Sequence, residues 1–314
     1  DFSIFYSVRR GLMHIGIDLE KGTASPGLYD LMASEARLTS YTAIAKGDVP
    51  RRHWRRLSRA MRSSGGYRGM ASWTGTMFEY LMPELFLPLT QDSLLYETAK
   101  FCVYVQKKRR SRGGAWGISE SAFYSLDPAL NYRYKAHGCA RLALKRGQDT
   151  ELVIAPYASF LALAVDPGAV ANLRRLEKCG MRARYGFFEA LDFTPSRCRT
   201  PEGEKVRCFM AHHLGMSMLA IANYLGENCV RHAFMHSPDM AAYGQLLEER
   251  IPLGAPVLRL SEAESDKQIL PNSRWEKRGG AIDYASPQCS LLSNGAYNIM
   301  LTESGISSAS CSDT

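Results

Sequence analysis

The sequence predicts an all-α fold, in which pairs of helices form a toroid of helical hairpins, with a short β segment in front and a β-hairpin behind. Three observations predict it. Apolar residues recur at helical spacing through most of residues 26–250. These tracts alternate with loops rich in Gly, Pro and aromatic residues, such as Gly113-Gly114-Ala115-Trp116-Gly117 and Tyr185-Gly186-Phe187-Phe188. After about Pro252 the helical period stops and a polar, irregular stretch follows. An irregular helical bundle satisfies the same pattern, because periodicity reports the buried face of each helix and not the closure of a ring.

Taken in order, residues 12–19 alternate apolar with small or polar side chains and read as a short strand. Ser25 is the expected N-cap, and Pro26 the first residue, of a helix that carries Leu28, Leu31, Met32, Ala36 and Leu38 and stops at Gly47-Asp48. A second helix is expected over 51–61; Gly65-Gly66 then breaks the chain before a third over 73–85. Further helices are expected over 92–110, 156–165, 167–179, 206–225 and 238–250. The longest apolar run, residues 157–165, is half the roughly 18 residues needed to cross a bilayer and reads as a buried helix. Residues 291–302 read as a strand pair turning at Asn294-Gly295, and the Ser-rich residues 307–314 as a frayed terminus. Residues 1–252 are thus expected to form one helical domain, and residues 253–314 a linker followed by the start of another region.

The chain's 314 residues allow one large domain or two ordinary ones, and 46% hydrophobic with 22% charged residues is the ordinary globular range. The net charge of +8 gathers in two runs, Arg51-Arg52-His53-Trp54-Arg55-Arg56 and Lys107-Lys108-Arg109-Arg110-Ser111-Arg112. Such runs can bind nucleic acid or anionic lipid. Here they read as solvated helix faces, so neither a nucleic-acid partner nor direct membrane insertion is expected. The eight cysteines stand far apart without a CxxC pair and read as free thiols; no Cys/His cluster has ligand spacing, so no metal is expected. The chain opens on Asp1 with no basic-then-apolar leader, as an excised piece of a longer chain would.

The chemistry-bearing candidates are carboxylates set among aromatics. Glu35 lies in Ala33-Ser34-Glu35-Ala36-Arg37-Leu38, and Glu120 in Trp116-Gly117-Ile118-Ser119-Glu120-Ser121-Ala122. Glu189 follows Tyr185-Gly186-Phe187-Phe188, with Asp192 three residues on. Sugar sites need this combination: aromatic faces stack on pyranose rings, while carboxylates bind hydroxyls or act as acid, base and nucleophile. Read singly, each has a plainer alternative: Glu35 a solvent-facing or ion-paired helix residue, Ser119 or Ser121 a helix cap, His212-His213 buried hydrogen-bonding histidines.

Together the strings are more specific. Tyr29-Asp30-Leu31-Met32-Ala33-Ser34-Glu35-Ala36-Arg37-Leu38 leads into Ile44-Ala45-Lys46-Gly47-Asp48-Val49-Pro50 and His53-Trp54. Ser72-Trp73-Thr74-Gly75-Thr76-Met77-Phe78-Glu79-Tyr80, the Trp116 string and Ala155-Pro156-Tyr157-Ala158 follow. Arg184-Tyr185-Gly186-Phe187-Phe188-Glu189 and Met210-Ala211-His212-His213-Leu214-Gly215 close the series. In this order and at this spacing, the series resembles the glucoamylase-like module of cyclic β-1,2-glucan synthases, over about residues 1–252. Residues 291–302 resemble the start of the β-sandwich that introduces the phosphorylase-like module of those synthases.

The resemblance implies an (α/α)6 barrel, shared with the related endo-β-1,2-glucanases, and cleavage or transglycosylation of β-1,2-linked glucan by two glutamates with retention, as in the synthase modules. It makes Glu35 the general acid/base and Glu120 the nucleophile. Trp73, Trp116, Tyr124 and Tyr185 become candidates for stacking on sugar. Arg37, Lys46, Asp48 and His212 become candidates for substrate contact, with Glu79 and Glu189 as second-choice carboxylates. No cofactor is implied. The partners implied are a glucan and the other modules of a longer chain, glycosyltransferase and phosphorylase-like, on the cytoplasmic side of a membrane. A helix start at Glu120 would favour its ionised form, and burial along a helix would keep Glu35 protonated. Two alternatives remain at this point: an inverting endo-glucanase or other glycoside hydrolase, and a non-catalytic glucan-binding or structural module.

Overall fold

The computed structural model of the chain describes residues 1–198, 200–252, 254–258, 289–293, 297–302 and 307–311. The chain divides into a larger unit, Asp1–Pro271, and a smaller one, Asn272–Thr314.

Helices supply the core of the larger unit. In chain order these are α1 (Arg37–Ala45), α2 (Arg52–Arg56), α3 (Met77–Leu81), α4 (Leu94–Lys108), α5 (Pro156–Ala162), α6 (Ala169–Lys178), α7 (Ala211–Leu225), α8 (Cys229–Met235) and α9 (Pro238–Ala242). Helix α4 follows directly from its sequence. Ser93 caps it by accepting the Tyr96 N–H at 3.1 Å, Lys107 and Lys108 occupy the last turn, and Leu94, Leu95, Phe101, Cys102 and Val105 form its buried face. That face lies on the hairpin of Met61–Ser64 and Tyr67–Met70. Gly69 permits the approach: a Cβ there would come within 2.8 Å of Phe101. Helix α5 packs against α3, α6 and α7, and α8 and α9 lead back to α1. There the Tyr41 hydroxyl donates to the Met240 carbonyl at 2.6 Å. No helix among the described residues is long and apolar enough to cross a membrane.

The unit also carries more strand than an all-α reading allows, in six sheets of two or three short strands among the described residues. They account for the main departures from the expected elements. The helix expected from Pro26 is instead the strand Leu28–Tyr29, paired with Met13 and His14, then turns, with α1 beginning only at Arg37. Ser25 caps nothing; its N–H bonds the Gly16 carbonyl at 2.9 Å. The helix expected over 51–61 ends at Arg56 because Met61–Ser64 pairs with Tyr67–Met70. The strand expected over 12–19 splits into Leu12–His14 and Ile17–Asp18. In each case pairing with another strand outweighs local periodicity.

Both basic runs are partly ion-paired or bonded. Lys107 pairs with Asp166 at 2.6 Å and Arg109 with Asp149 at 3.3 Å, while His53 is buried between Ser40 and the Gly11 carbonyl. Cys102, Cys139, Cys179, Cys198, Cys208 and Cys229 are free thiols.

The smaller unit contains an antiparallel meander of Cys289–Ser293, Tyr297–Thr302 and Ser307–Cys311. The strand pair is therefore present, and the segment expected to fray contributes a third strand. The turn expected at Asn294-Gly295, and most of the irregular stretch 254–288, lie outside the described residues.

Candidate active site

Glu120 is set in place by backbone capture. The loop before it is bracketed by two buried amide side chains. Gln106 of α4 donates to the Ile118 carbonyl at 2.9 Å and accepts the Ile118 N–H at 2.8 Å. Asn172 of α6 does the same for Trp116, at 2.7 and 3.2 Å. Each amide satisfies a peptide group as a neighbouring strand would. Ser119 accepts the Phe78 N–H at 3.0 Å and lies 2.7 Å from the Tyr157 hydroxyl. Tyr157 has one proton to give, and it donates that to the Glu120 carbonyl at 3.0 Å. Ser119 must therefore be the donor in its bond to Tyr157. These contacts fix the backbone of residue 120 and leave its carboxyl free.

Glu120 precedes the strand Ser121–Leu126, so the helix start expected beside it is absent. With no run of amides to favour the anion, burial dominates and the neighbouring charges of Glu35 and Glu79 add to it, pushing the carboxyl up to about 7. This reverses the expected direction. Glu35 lies in the turn before α1 and not within a helix. Its pKa is raised, as expected, by burial and secondarily by Glu79; its own backbone amide, Ser34 and Arg37 work against the rise. Tyr29, unremarked in the sequence, is raised by burial and by both Glu35 and Glu120. The two glutamates thus share one electrostatic neighbourhood. Glu35, Tyr29 and Trp73 line one open groove, together with Leu28, Leu31 and Glu79, and Trp73 presents 57% of its surface on it.

The loop carrying Trp73 is fastened to residues 139–145. Cys139 N–H bonds the Gly75 carbonyl at 3.1 Å, Leu144 N–H the Ser72 carbonyl at 2.8 Å, and Lys145 N–H the Trp73 carbonyl at 2.8 Å. Gly75 has φ +78°, and a Cβ there would lie 2.5 Å from the Cys139 carbonyl oxygen.

A second carboxylate system adjoins the first. Glu189, buried, accepts the Ala122 N–H at 3.3 Å and faces His213 Nδ1 with its two oxygens at 2.9 and 3.0 Å. The His213 ring stacks on Tyr157 at 3.8 Å between centroids, with planes 10° apart. Tyr134, on the strand Tyr132–Lys135, lies with its hydroxyl 3.4 Å from Glu120 Oε2 and 3.4 Å from His213 Nε2. Burial first, then the charges of Glu120 and Glu189, raise its pKa. Tyr134 and His213 were not among the expected site residues. Their separation in sequence from Glu120 and Glu189 leaves no local signal, although the His212-His213 pair stood out in the sequence.

The other expected substrate contacts are placed as follows. Arg37 is 2% exposed and turns its guanidinium into the core, where Nη1 and Nη2 donate to the Met32 and Tyr80 carbonyls and to Glu84 at 2.6 Å. Lys46 and Asp48 pair at 3.5 Å beyond the far end of α1, some 14 Å along a nine-residue helix from Glu35. Asp48 accepts the Phe2 N–H there. Trp116 is buried in the core, with Lys107 Nζ 5.7 Å from its ring. Glu79 is buried as the carboxylate of a capping box on α3, accepting from Ser72 Oγ and the N–H groups of Thr74 and Thr76. Tyr124 is exposed on its strand, its ring beside Tyr132. Tyr185 is exposed on a separate aromatic groove with Phe187, Phe188 and Glu189. His212 lies at the rim against His213, 4.0 Å between centroids, its pKa lowered by burial and by that neighbour.

Comparison with known proteins shows what the chain is similar to. Residues 28–238 match the family described as "Putative glucoamylase". The chain is 40% identical over 316 residues to the cyclic beta-(1,2)-glucan synthase NdvB of Rhizobium meliloti (strain 1021), an alignment covering 97% of this chain and 11% of that protein. The chain thus spans about a tenth of the length of the relative it matches. Among solved structures, a beta-1,2-glucanase from Parabacteroides distasonis aligns at TM-score 0.42 and 15% identity, covering 67% of this chain and 29% of that one. With residues 28–238 matched, both glutamates included, the chain belongs to this glucoamylase family.

Proposed function

We propose that the chain is a carbohydrate-active module that cleaves or transglycosylates β-1,2-linked glucan with retention, using Glu120 as nucleophile and Glu35 as acid/base. The observation that carries this reading is the shared neighbourhood of Glu35 and Glu120 beside an open groove rimmed by Trp73 and Tyr29. The 40% identity to a cyclic β-1,2-glucan synthase supports the linkage. In the first step a Glu120 oxygen attacks the anomeric carbon, the glycosidic bond breaks, and the departing oxygen takes the Glu35 proton. In the second, Glu35 removes a proton from water or from a glucan hydroxyl, whose oxygen attacks the anomeric carbon and releases Glu120. Water gives hydrolysis and a sugar hydroxyl gives transfer. On this reading the helices form part of an (α/α)6 barrel. The chain is then one module of a longer synthase on the cytoplasmic side, beside glycosyltransferase and phosphorylase-like modules.

The pKa of about 7 at Glu120 favours a second reading in which the two glutamates exchange roles, since a carboxyl near neutrality is suited to give a proton. The test is incubation with linear β-1,2-glucan and mass analysis of the products. Shortened or redistributed chains, lost in Glu120→Gln and in Glu35→Gln, support the proposal, and an unchanged profile at high protein concentration refutes it. Azide added to Glu120→Ala should yield a glycosyl azide of inverted anomeric configuration; a retained configuration assigns the exchanged roles.

A further inference from the structure

We infer that Tyr134, His213 and Glu189 form a proton relay that takes the proton from Glu120 and holds it on His213, so that a buried carboxyl can serve as an anion. The inference rests on Glu120 being the nucleophile proposed above, and it assigns positioning roles to three residues that are not expected to touch the reacting carbon.

It follows from counting protons along the chain of contacts. Glu189 is acceptor-only and fixes a proton on His213 Nδ1. Tyr134 carries one proton and lies 3.4 Å from each of two groups, Glu120 Oε2 and His213 Nε2. If His213 is neutral and Glu120 ionised, both groups are acceptors and one of them goes unsatisfied. One more proton removes the conflict, and it has two places to sit. On Glu120, the carboxyl donates to Tyr134 Oη and Tyr134 donates to His213 Nε2. On His213, the imidazolium donates to Tyr134 Oη and Tyr134 donates to Glu120. The two arrangements interconvert when Glu120 passes its proton to Tyr134 Oη while the Tyr134 proton moves to Nε2. The charge on Glu189 favours the second arrangement, as does the π face of Tyr157 stacked on His213. That arrangement leaves Glu120 ionised.

Every ionisable group facing the pair bears on this balance. Glu120 faces Glu35 before α1, Glu79 on α3, and Tyr29, Tyr134 and Tyr157. His213 faces Glu189, Tyr134, Tyr157 and His212. The carboxylates around Glu120 oppose its ionisation, so a nearby base with its own counter-charge is what the site needs.

The test uses the whole chain and no glucan. Imidazole ¹⁵N shifts report the His213 titration, assigned among the seven histidines by its loss in His213→Gln. Glu120→Gln removes the charge at the end of the relay and should lower the His213 midpoint by about one pH unit. The same substitution made in Tyr134→Phe should leave the midpoint nearly where Tyr134→Phe alone puts it. Tyr134 is 42% exposed, so its loss of a hydroxyl spares the core. A midpoint indifferent to Glu120→Gln overturns the relay. So does an equal shift with Tyr134 replaced, which would mean charge acting through space. In turnover, Tyr134→Phe should move the acid limb of kcat/KM upward by about one pH unit. Coupled titrations in a chain that leaves β-1,2-glucan untouched would retain the relay and remove the substrate assignment.

Discussion

Glu120→Gln should stabilise the protein while abolishing its chemistry. Burial and two neighbouring carboxylates raise the Glu120 carboxyl from its ordinary 4.5 to about 7. The native site therefore holds a proton, on Glu120 or passed along to His213, that the unfolded carboxyl has already released between those values, and native stability falls as pH climbs through that window. At ~1.4 kcal/mol per pH unit the ceiling of the effect is roughly 3 kcal/mol. Partial exposure to water discounts this to about 1–2 kcal/mol. A glutamine keeps the size and carries no charge, so it recovers that amount above pH 7 and nothing below about pH 4.5. The assay is urea unfolding of parent and variant at pH 4.5 and pH 8. A difference confined to pH 8 supports the reasoning. Equal midpoints at pH 8, or an equal gain at both pH values, would show that the charge at residue 120 is not what strains the site. Activity on the glucan should fall on the order of a thousandfold in the same variant.

Three further outcomes follow from the same structure. Arg37→Met should cost about 3–5 kcal/mol by stranding the buried Glu84, and adding Glu84→Leu should recover much of it, as read from denaturant midpoints. Glu79→Gln should cost about 1–3 kcal/mol, because its NH₂ would face a donor in either orientation, the Thr74 N–H on one side or the Thr76 N–H and Ser72 Oγ on the other; thermal unfolding reads this directly. Trp73→Ala should raise KM for the glucan several-fold with stability changed by no more than about 0.5 kcal/mol, since that ring is 57% exposed. Unchanged KM would remove Trp73 from the substrate path.

Legibility in the sequence tracked how local the cause was. Helices α4 and α6 lie close to their expected ranges because period and breaker sit within each segment, and Ser93 caps α4. Helix α8 is absent from the expected elements: the expected helix stops at residue 225, and the positive φ at Glu227 and Asn228 turns the chain into another helix. The Pro26 helix failed because Leu28 and Tyr29 answer to Met13 and His14, which no window around Pro26 contains. At the proposed site, the strings around Glu35 and Glu120 supplied both carboxylates that burial and neighbouring charge perturb. The strings also drew in Arg37 and Trp116, whose task is to hold the shell behind it. Tyr134 and His213 meet Glu120 only through strand pairing and helix docking, and that meeting is invisible in one dimension.

The stitching of Gly75 to Cys139 has a consequence for how a flexible sugar chain is met. With backbone against backbone and no room for even a methyl group, the wall bearing Trp73 cannot swing out or settle in as a ligand arrives. The entropy of ordering that wall is spent when the protein folds, once, and is absent from each binding event. On the proposed function, the glucan must then supply the adaptation: a floppy polymer laid along a stiff edge, losing its own freedom residue by residue. Affinity in such a groove rises with the number of sugar units that fit, and short fragments leave as readily as they come.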